Sequence, residues 1–175
     1  KKKGVECVVV LSDMVGDVDD LKVLKGDVMY RKMLKEFVRK SIKNTGDDCC
    51  VTVVDKNFSE YAVELLEYLC FLCRNVNVVT ENKKTALDFA EKVFDKYGAL
   101  INIYGKGKKV VSHIAVVFED CGNSYSENCL IISKNYTKNH DRIISDFHIP
   151  FLVKPPFGMD DLVFSECIEY GINNS

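Results

Sequence analysis

Apolar positions along this chain come in two rhythms. Short, nearly unbroken apolar runs occupy residues 5–11 (VECVVVL), 49–54 (CCVTVV), 75–80 (NVNVVT), 99–104 (ALINIY), 114–118 (IAVVF), 129–133 (CLIIS) and 150–153 (PFLV). Runs of this length predict strands, and the continuous run 49–54, with no alternation, predicts a strand covered on both faces. Between them the period changes to that of a helix. Tyr30, Met33, Leu34, Phe37 and Val38 recur over 27–44. Ala62, Leu65, Leu66, Leu69 and Cys73 do so over 59–74, and Ala86, Phe89, Ala90, Val93, Phe94 and Tyr97 over 83–97. Asp27 suits the start of the first helix, and Gly46 and Gly98 suit helix stops. Further helices are predicted over 139–147 and 160–170, the latter between Pro155-Pro156 and Gly171. Residues 14–26, with Asp17, Asp19, Asp20 and two glycines, read as an acidic loop without the calcium-loop spacing.

Strand, helix, strand, helix, strand over residues 49–120 is a βαβαβ unit. Its crossovers must be right-handed and must build a parallel sheet. The whole chain of 175 residues is therefore expected to form a single α/β domain around that unit.

The elements over residues 32–118 resemble, in order and spacing, the NAD(P)-binding Rossmann domain of the shikimate dehydrogenase and glutamyl-tRNA reductase group. The resemblance implies a Rossmann-like, mainly parallel sheet with helices on both faces. It implies a ligand at the carboxyl ends of the strands, where Asp55, Asn57, Ser59, Thr80, Glu81, Lys106 and Glu119 would lie. Glu81, just past the second strand of the unit, stands where such folds keep an acid for the ribose hydroxyls.

One departure changes what the crevice can hold. The family turn is G-x-G-x-x-G, and this chain has Asp55-Lys56-Asn57-Phe58-Ser59-Glu60 in its place. Cβ atoms then occupy the space a diphosphate would use. Asp55 and Glu60 bring negative charge to a helix N-terminus that would otherwise attract phosphate. Asn57 and Glu60 are expected to pair as a capping box and consume the free amides. NAD(P) is thus disfavoured as a cofactor.

Other chemistry is sparse. Lys106, Lys108 and Lys109, with Lys134 and Lys154, read either as an anion-attracting rim or as exposed solubilising charge. His113, His140 and His148 form no metal-ligand spacing, and no metal is expected. No Walker loop or nucleophile elbow is present. Cys70-Phe-Leu-Cys73 falls late in a helix, where a redox C-x-x-C would open one. The basic face of the first helix reads as solvated surface.

Twenty-four Lys and Arg against 26 Asp and Glu give a net charge of -2, which offers no electrostatic basis for nucleic-acid binding. No run approaches the length of a membrane span. Eight cysteines, mostly inside apolar runs, read as reduced, packed thiols of a cytoplasmic protein. The leading expectation is a non-catalytic Rossmann-like protein that binds an unassigned small molecule or a protein partner. The alternatives are an NAD(P)-dependent oxidoreductase with a divergent turn, and a receiver- or flavodoxin-like domain with acids Asp13 and Asp55 at strand ends.

Overall fold

The computed structural model describes residues 7–9, 22–24, 27–46, 48–134, 140, 142–144 and 163–165. Two compact units divide the chain, Lys1–Leu34 with Phe147–Ser175, and Lys35–Asp146. In the first unit β1 (Cys7–Val9) pairs in parallel with β2 (Lys22–Leu24), Cys7 opposite Lys22. β1 falls inside the strand predicted over 5–11. β2 falls in the stretch that reads as loop, because three residues are too few to show a period and only the partner makes them a strand. Residues 163–165 are helical, within the helix predicted over 160–170. Asp13, residues 14–21 of the predicted acidic loop, the run 150–153, His148 and Lys154 lie outside the described residues.

The helix α1 (Asp27–Thr45) begins in the first unit and ends in the second. Gly46 stops it, with φ at 102° and its amide on the Ile42 carbonyl at 3.0 Å. The second unit continues through β3 (Cys50–Val54), α2 (Glu60–Cys70), β4 (Asn75–Val79), α3 (Lys83–Tyr97) and β5 (Ile101–Tyr104). Then follow β6 (Lys109–Val110), β7 (Ile114–Val117), β8 (Ser124–Tyr125), β9 (Leu130–Ile132) and β10 (Ile143–Ile144). Six of these strands make one sheet in the order β10-β9-β7-β3-β4-β5, every neighbouring pair parallel. β6 and β8 form a separate parallel ladder.

The helix predicted over 139–147 is not formed at its centre. Ile143 and Ile144 are a strand instead, and the amides of Ile131 and Ser133 take the carbonyls of Arg142 and Ile144 at 2.8 and 3.0 Å. Two adjacent isoleucines fit either period, and the open edge of β9 decided between them. α2 also stops short of residue 74. Without a glycine there, its last turn tightens as the amides of Phe71 and Leu72 bond the carbonyls of Tyr68 and Leu69.

From β3 the chain steps outward to β4 and β5, then returns to place β7 on the other side of β3, followed by β9 and β10. Renumbered within the sheet, the order is 3-2-1-4-5-6, that of the dinucleotide-binding fold; flavodoxin and receiver domains run 2-1-3-4-5. The fold is α/β and Rossmann-like. The direction reverses between the carboxyl ends of β3 and β7, the switch point at which this class of fold opens its ligand crevice.

The two faces of the sheet are built differently. Val51, Val53, Val76, Val78, Ile114 and Val116 share one face, by the alternation of strand residues. α2 and α3 pack on the sheet and on each other, with Ala62, Leu65, Leu66, Leu69, Ala86 and Val93 buried. Val54, Val79, Ala115, Val117 and Ile131 lie on the opposite face, where Val110, Cys121 and Cys129 cover them and Tyr104, Tyr125 and Ile143 pack alongside. The crossovers that supply Val110 and Cys121 contain no helix; their regular structure is the β6–β8 ladder.

A polar row crosses that second face. Thr52 lies opposite Asn77, and Asn77 opposite Asn102. Asn77 Nδ2 donates to Thr52 Oγ1 at 3.3 Å and to Cys50 Sγ at 3.1 Å, while Asn77 Oδ1 accepts from Asn102 Nδ2 at 3.0 Å. Thr52 and Asn77 are buried, so these bonds spare them the cost of an unpaired polar group.

Candidate functional site

Parallel register brings the expected crevice residues to one level. Val54 lies beside both Val79 and Val117, and Val79 beside Tyr104. The residues that leave these strands, Asp55, Thr80, Phe118 and Gly105, therefore emerge side by side. Asp55 is 3% exposed and Thr80 is fully buried.

Asp55 organises the turn into α2. Its Oδ1 accepts the amide of Asn57 at 3.0 Å, and its Oδ2 accepts the amide of Ser59 at 3.2 Å. The Ser59 hydroxyl donates to the same Oδ2. Ser59 is the N-cap of α2 but caps no amide with its own side chain. The predicted Asn57–Glu60 capping box is thus replaced by a carboxylate from the preceding strand end. The physical reason is reach: Asp55, fixed by β3 with its own amide on the Val79 carbonyl at 3.0 Å, already lies under the turn.

Asn57 is engaged elsewhere. Its Nδ2 donates to Glu119 Oε2 at 2.8 Å, a bond that joins the β3 turn to the residues after β7. This bond spans the crevice where the strand order reverses. Phe58, next in the turn, has φ at 56°, a conformation that costs an ordinary residue about 1 kcal/mol. Burial holds it there: Phe58 is 6% exposed and meets the Phe89 ring edge-on at 5.7 Å.

The second turn is tied to the first through one carbonyl. Lys56 O accepts the amide of Glu81 at 3.1 Å and the hydroxyl of Thr80 at 3.0 Å. Thr80 Oγ1 in turn accepts the amide of Asn82 at 3.1 Å. Glu81 is exposed and pairs with Lys106 at 3.4 Å. Lys83 lies against Gly105, whose missing Cβ would sit 3.3 Å from the Lys83 ammonium.

Among the rim lysines, Lys106 reaches this cluster, and the Lys108 carbonyl accepts from Asn123 Nδ2 at 2.9 Å. Asn123 also bonds the Gly105 carbonyl at 3.2 Å, and so clamps the 105–108 loop. Asn82, Cys121 and Asn123 were not among the residues expected here. Their only local signal is a small polar or thiol residue beside a glycine or a strand end, which is too common to single out.

Around Cys121 the field is acidic. Burial pushes the Cys121 thiol up to about 11, and Glu81, Asp120, Asp55 and Glu119 all push it the same way. Four carboxylates therefore act on one buried atom beside the crevice. The remaining sulfurs suit packing. The described cysteines are free, and burial raises Cys49, Cys50, Cys70 and Cys129 and takes Cys73 up to about 12. Such a thiol presents almost no thiolate at neutral pH. His113 serves the backbone, with Nδ1 accepting the Cys50 amide at 3.0 Å.

Among the described residues no group of three or more His, Cys, Asp or Glu is placed to hold a metal ion, and no helix is long and apolar enough to cross a membrane. Set against known protein families and against curated proteins, the chain matches none.

Proposed function

We propose that the chain is a Rossmann-type domain without dinucleotide-dependent catalysis, which works by binding another small molecule or a protein. One observation carries the reading: the Asp55 carboxylate takes the Asn57 and Ser59 amides, the donors a pyrophosphate would need. Two further features support it. The Asn57–Glu119 bond bridges the crevice, and the surrounding carboxylates repel a diphosphate. Like charges at such distances cost on the order of a few kcal/mol at intermediate dielectric.

An NAD(P)-dependent oxidoreductase would have to break the Asn57–Glu119 bond and expel Asp55 from the turn before the cofactor could seat. Glu81, the residue in position for a ribose, is already paired with Lys106. The receiver-like alternative is disfavoured by the strand order.

Calorimetric titration of the purified chain with NAD(H) and NADP(H) tests the reading. The expected result is no saturable heat up to about 1 mM nucleotide, the weak end of specific affinity. A micromolar Kd for any of the four, lost on Asn57→Ala substitution, overturns it.

A further inference from the structure

A second concave surface lies at the amino ends of β3, β4 and β5, the end of the sheet opposite the crevice. The helices of the second unit run out there. α1 stops at Gly46 and α3 at Gly98, both with positive φ, and α2 is capped at Phe71. These ends, with the residues that lead into the strands, border a cavity of about 800 Å³. That volume is within the range of small-molecule sites.

Its lining is part apolar and part charged. Phe71 is 67% exposed and Leu100 68%, and the Phe71 ring meets the Tyr97 ring edge-on at 4.8 Å. Lys43, Asp48 and Arg74 are the charged residues of the lining. None of the three makes an ion pair or a side-chain hydrogen bond with a described residue. Next to the lining, the Lys96 ammonium lies 4.7 Å from the centre of the Tyr97 ring, and Glu67 acts on both Lys96 and Cys70. These two add one charge of each sign. Asp47 lies outside the described residues.

Each part of the lining selects a matching part of a ligand. Lys43 and Arg74 take an anionic group, and a guanidinium can hold a carboxylate through two parallel bonds. Asp48 takes a cationic group. The helix C-termini favour a cation too, because the unpaired carbonyls of each carry the equivalent of about half a negative charge. The rings and aliphatic side chains take an apolar body. A ligand with an anion alone would be opposed by Asp48 and the helix ends, and one with a cation alone by Lys43 and Arg74. A ligand that carries both charges on an apolar frame meets every group.

We propose that this cavity binds a small zwitterion with an apolar body, an aromatic or aliphatic α-amino acid or a short peptide built of such residues. The carboxylate goes to Lys43 and Arg74, the ammonium to Asp48 and the helix ends, and the apolar side chain to Phe71, Tyr97 and Leu100. The site lies outside the crevice and does not depend on what binds there.

Isothermal titration of the full chain with L-phenylalanine and with L-leucyl-L-phenylalanine tests it. Saturable binding is expected with a Kd below about 1 mM, and the tighter of the two tells free amino acid from peptide. The N-acetyl derivative of that binder lacks the ammonium and its C-terminal amide lacks the carboxylate. Each is expected to bind about fivefold more weakly than the parent. Arg74→Gln should weaken the parent and leave the amide unchanged, while Asp48→Asn should weaken the parent and leave the acetyl derivative unchanged. Phe71→Ser weakens all three compounds. The three substituted positions are exposed, and circular dichroism and thermal melts verify that each variant is folded. No saturable heat from either compound up to about 10 mM overturns the proposal. So do derivatives that bind as tightly as the parent, or an affinity indifferent to both Arg74→Gln and Asp48→Asn.

Discussion

The two faces of the six-stranded sheet solve one problem by different means. On the helix-covered face β3, β4 and β7 present only Val and Ile, and α2 answers with Ala62, Leu65, Leu66 and Leu69, all buried. Each buried Val, Ile or Leu side chain contributes about 1.5–3 kcal/mol on leaving water, and the contacts need no particular orientation. The other face joins an apolar half near the carboxyl ends, Val54, Val79 and Val117, to the polar row of Thr52, Asn77 and Asn102 at mid-strand. Short strands and loops cover its apolar half, and a hydrogen-bonded row must keep its geometry to avoid a penalty. The first face is tolerant in register and the second specifies it: a slip of β4 against β3 would separate Asn77 from Thr52 and bury both unpaired.

The sharpest way to test the contrast is to cut one side chain from the tolerant face. Leu66→Ala removes a fully buried residue of α2 and is expected to cost about 3 kcal/mol in urea unfolding, through lost transfer energy and a residual cavity. On the other face, Asn77→Val strands the partners of one amide and costs about 1–2 kcal/mol. Adding Thr52→Val to it should recover part of that loss, because two apolar partners leave nothing unpaired between them. A double-mutant cycle that is strictly additive would show that the row has no coupling.

The smallest expected effect is pH-dependent. Two thiols are held furthest above the ordinary value near 9: Cys73 just past α2, up to about 12, and Cys121 on the crossover side, up to about 11. The folded chain then keeps these protons to higher pH than the unfolded chain does. Their contribution is whole below about pH 9 and is lost as pH rises through the folded values. Under reducing conditions the urea midpoint should fall between roughly pH 9 and pH 11, and Cys73→Ala should flatten part of that fall. An unchanged slope in Cys73→Ala would mean that its thiol is not buried against ionisation.

The legibility of these regions in the sequence differs for the same reason. α2 and α3 repeat their apolar positions often enough for the period to be read, and their ends are marked by Ser59 and by Gly98, whose φ is 68° and whose amide bonds the Phe94 carbonyl at 2.7 Å. β7 is an unbroken apolar run and β3 is broken only by Thr52, which is what cover on both sides requires, while β4 carries Asn75 and Asn77 among its valines. β2, β6, β8 and β10 are two or three residues long and carry no period of their own. Ile143 and Ile144 read as part of a helix until β9 offers its edge. At the crevice, the missing glycines and the acid at 55 were legible, and so was the conclusion that the turn is filled. The identity of the filling group was not: Asn57 was expected to cap the helix with Glu60, and it reaches Glu119, 62 positions along the chain.

Pattern and composition thus settled the local matters: which segments coil, which extend, that the extended ones run parallel, and that no glycine turn invites a diphosphate. These follow from periodicity and from chain sterics within a few residues. The strand order, the bond across the crevice, the row from Thr52 to Asn102 and the cavity at the helix ends were fixed by the folded chain. Each depends on residues tens of positions apart arriving at one place, and no window of sequence contains that encounter.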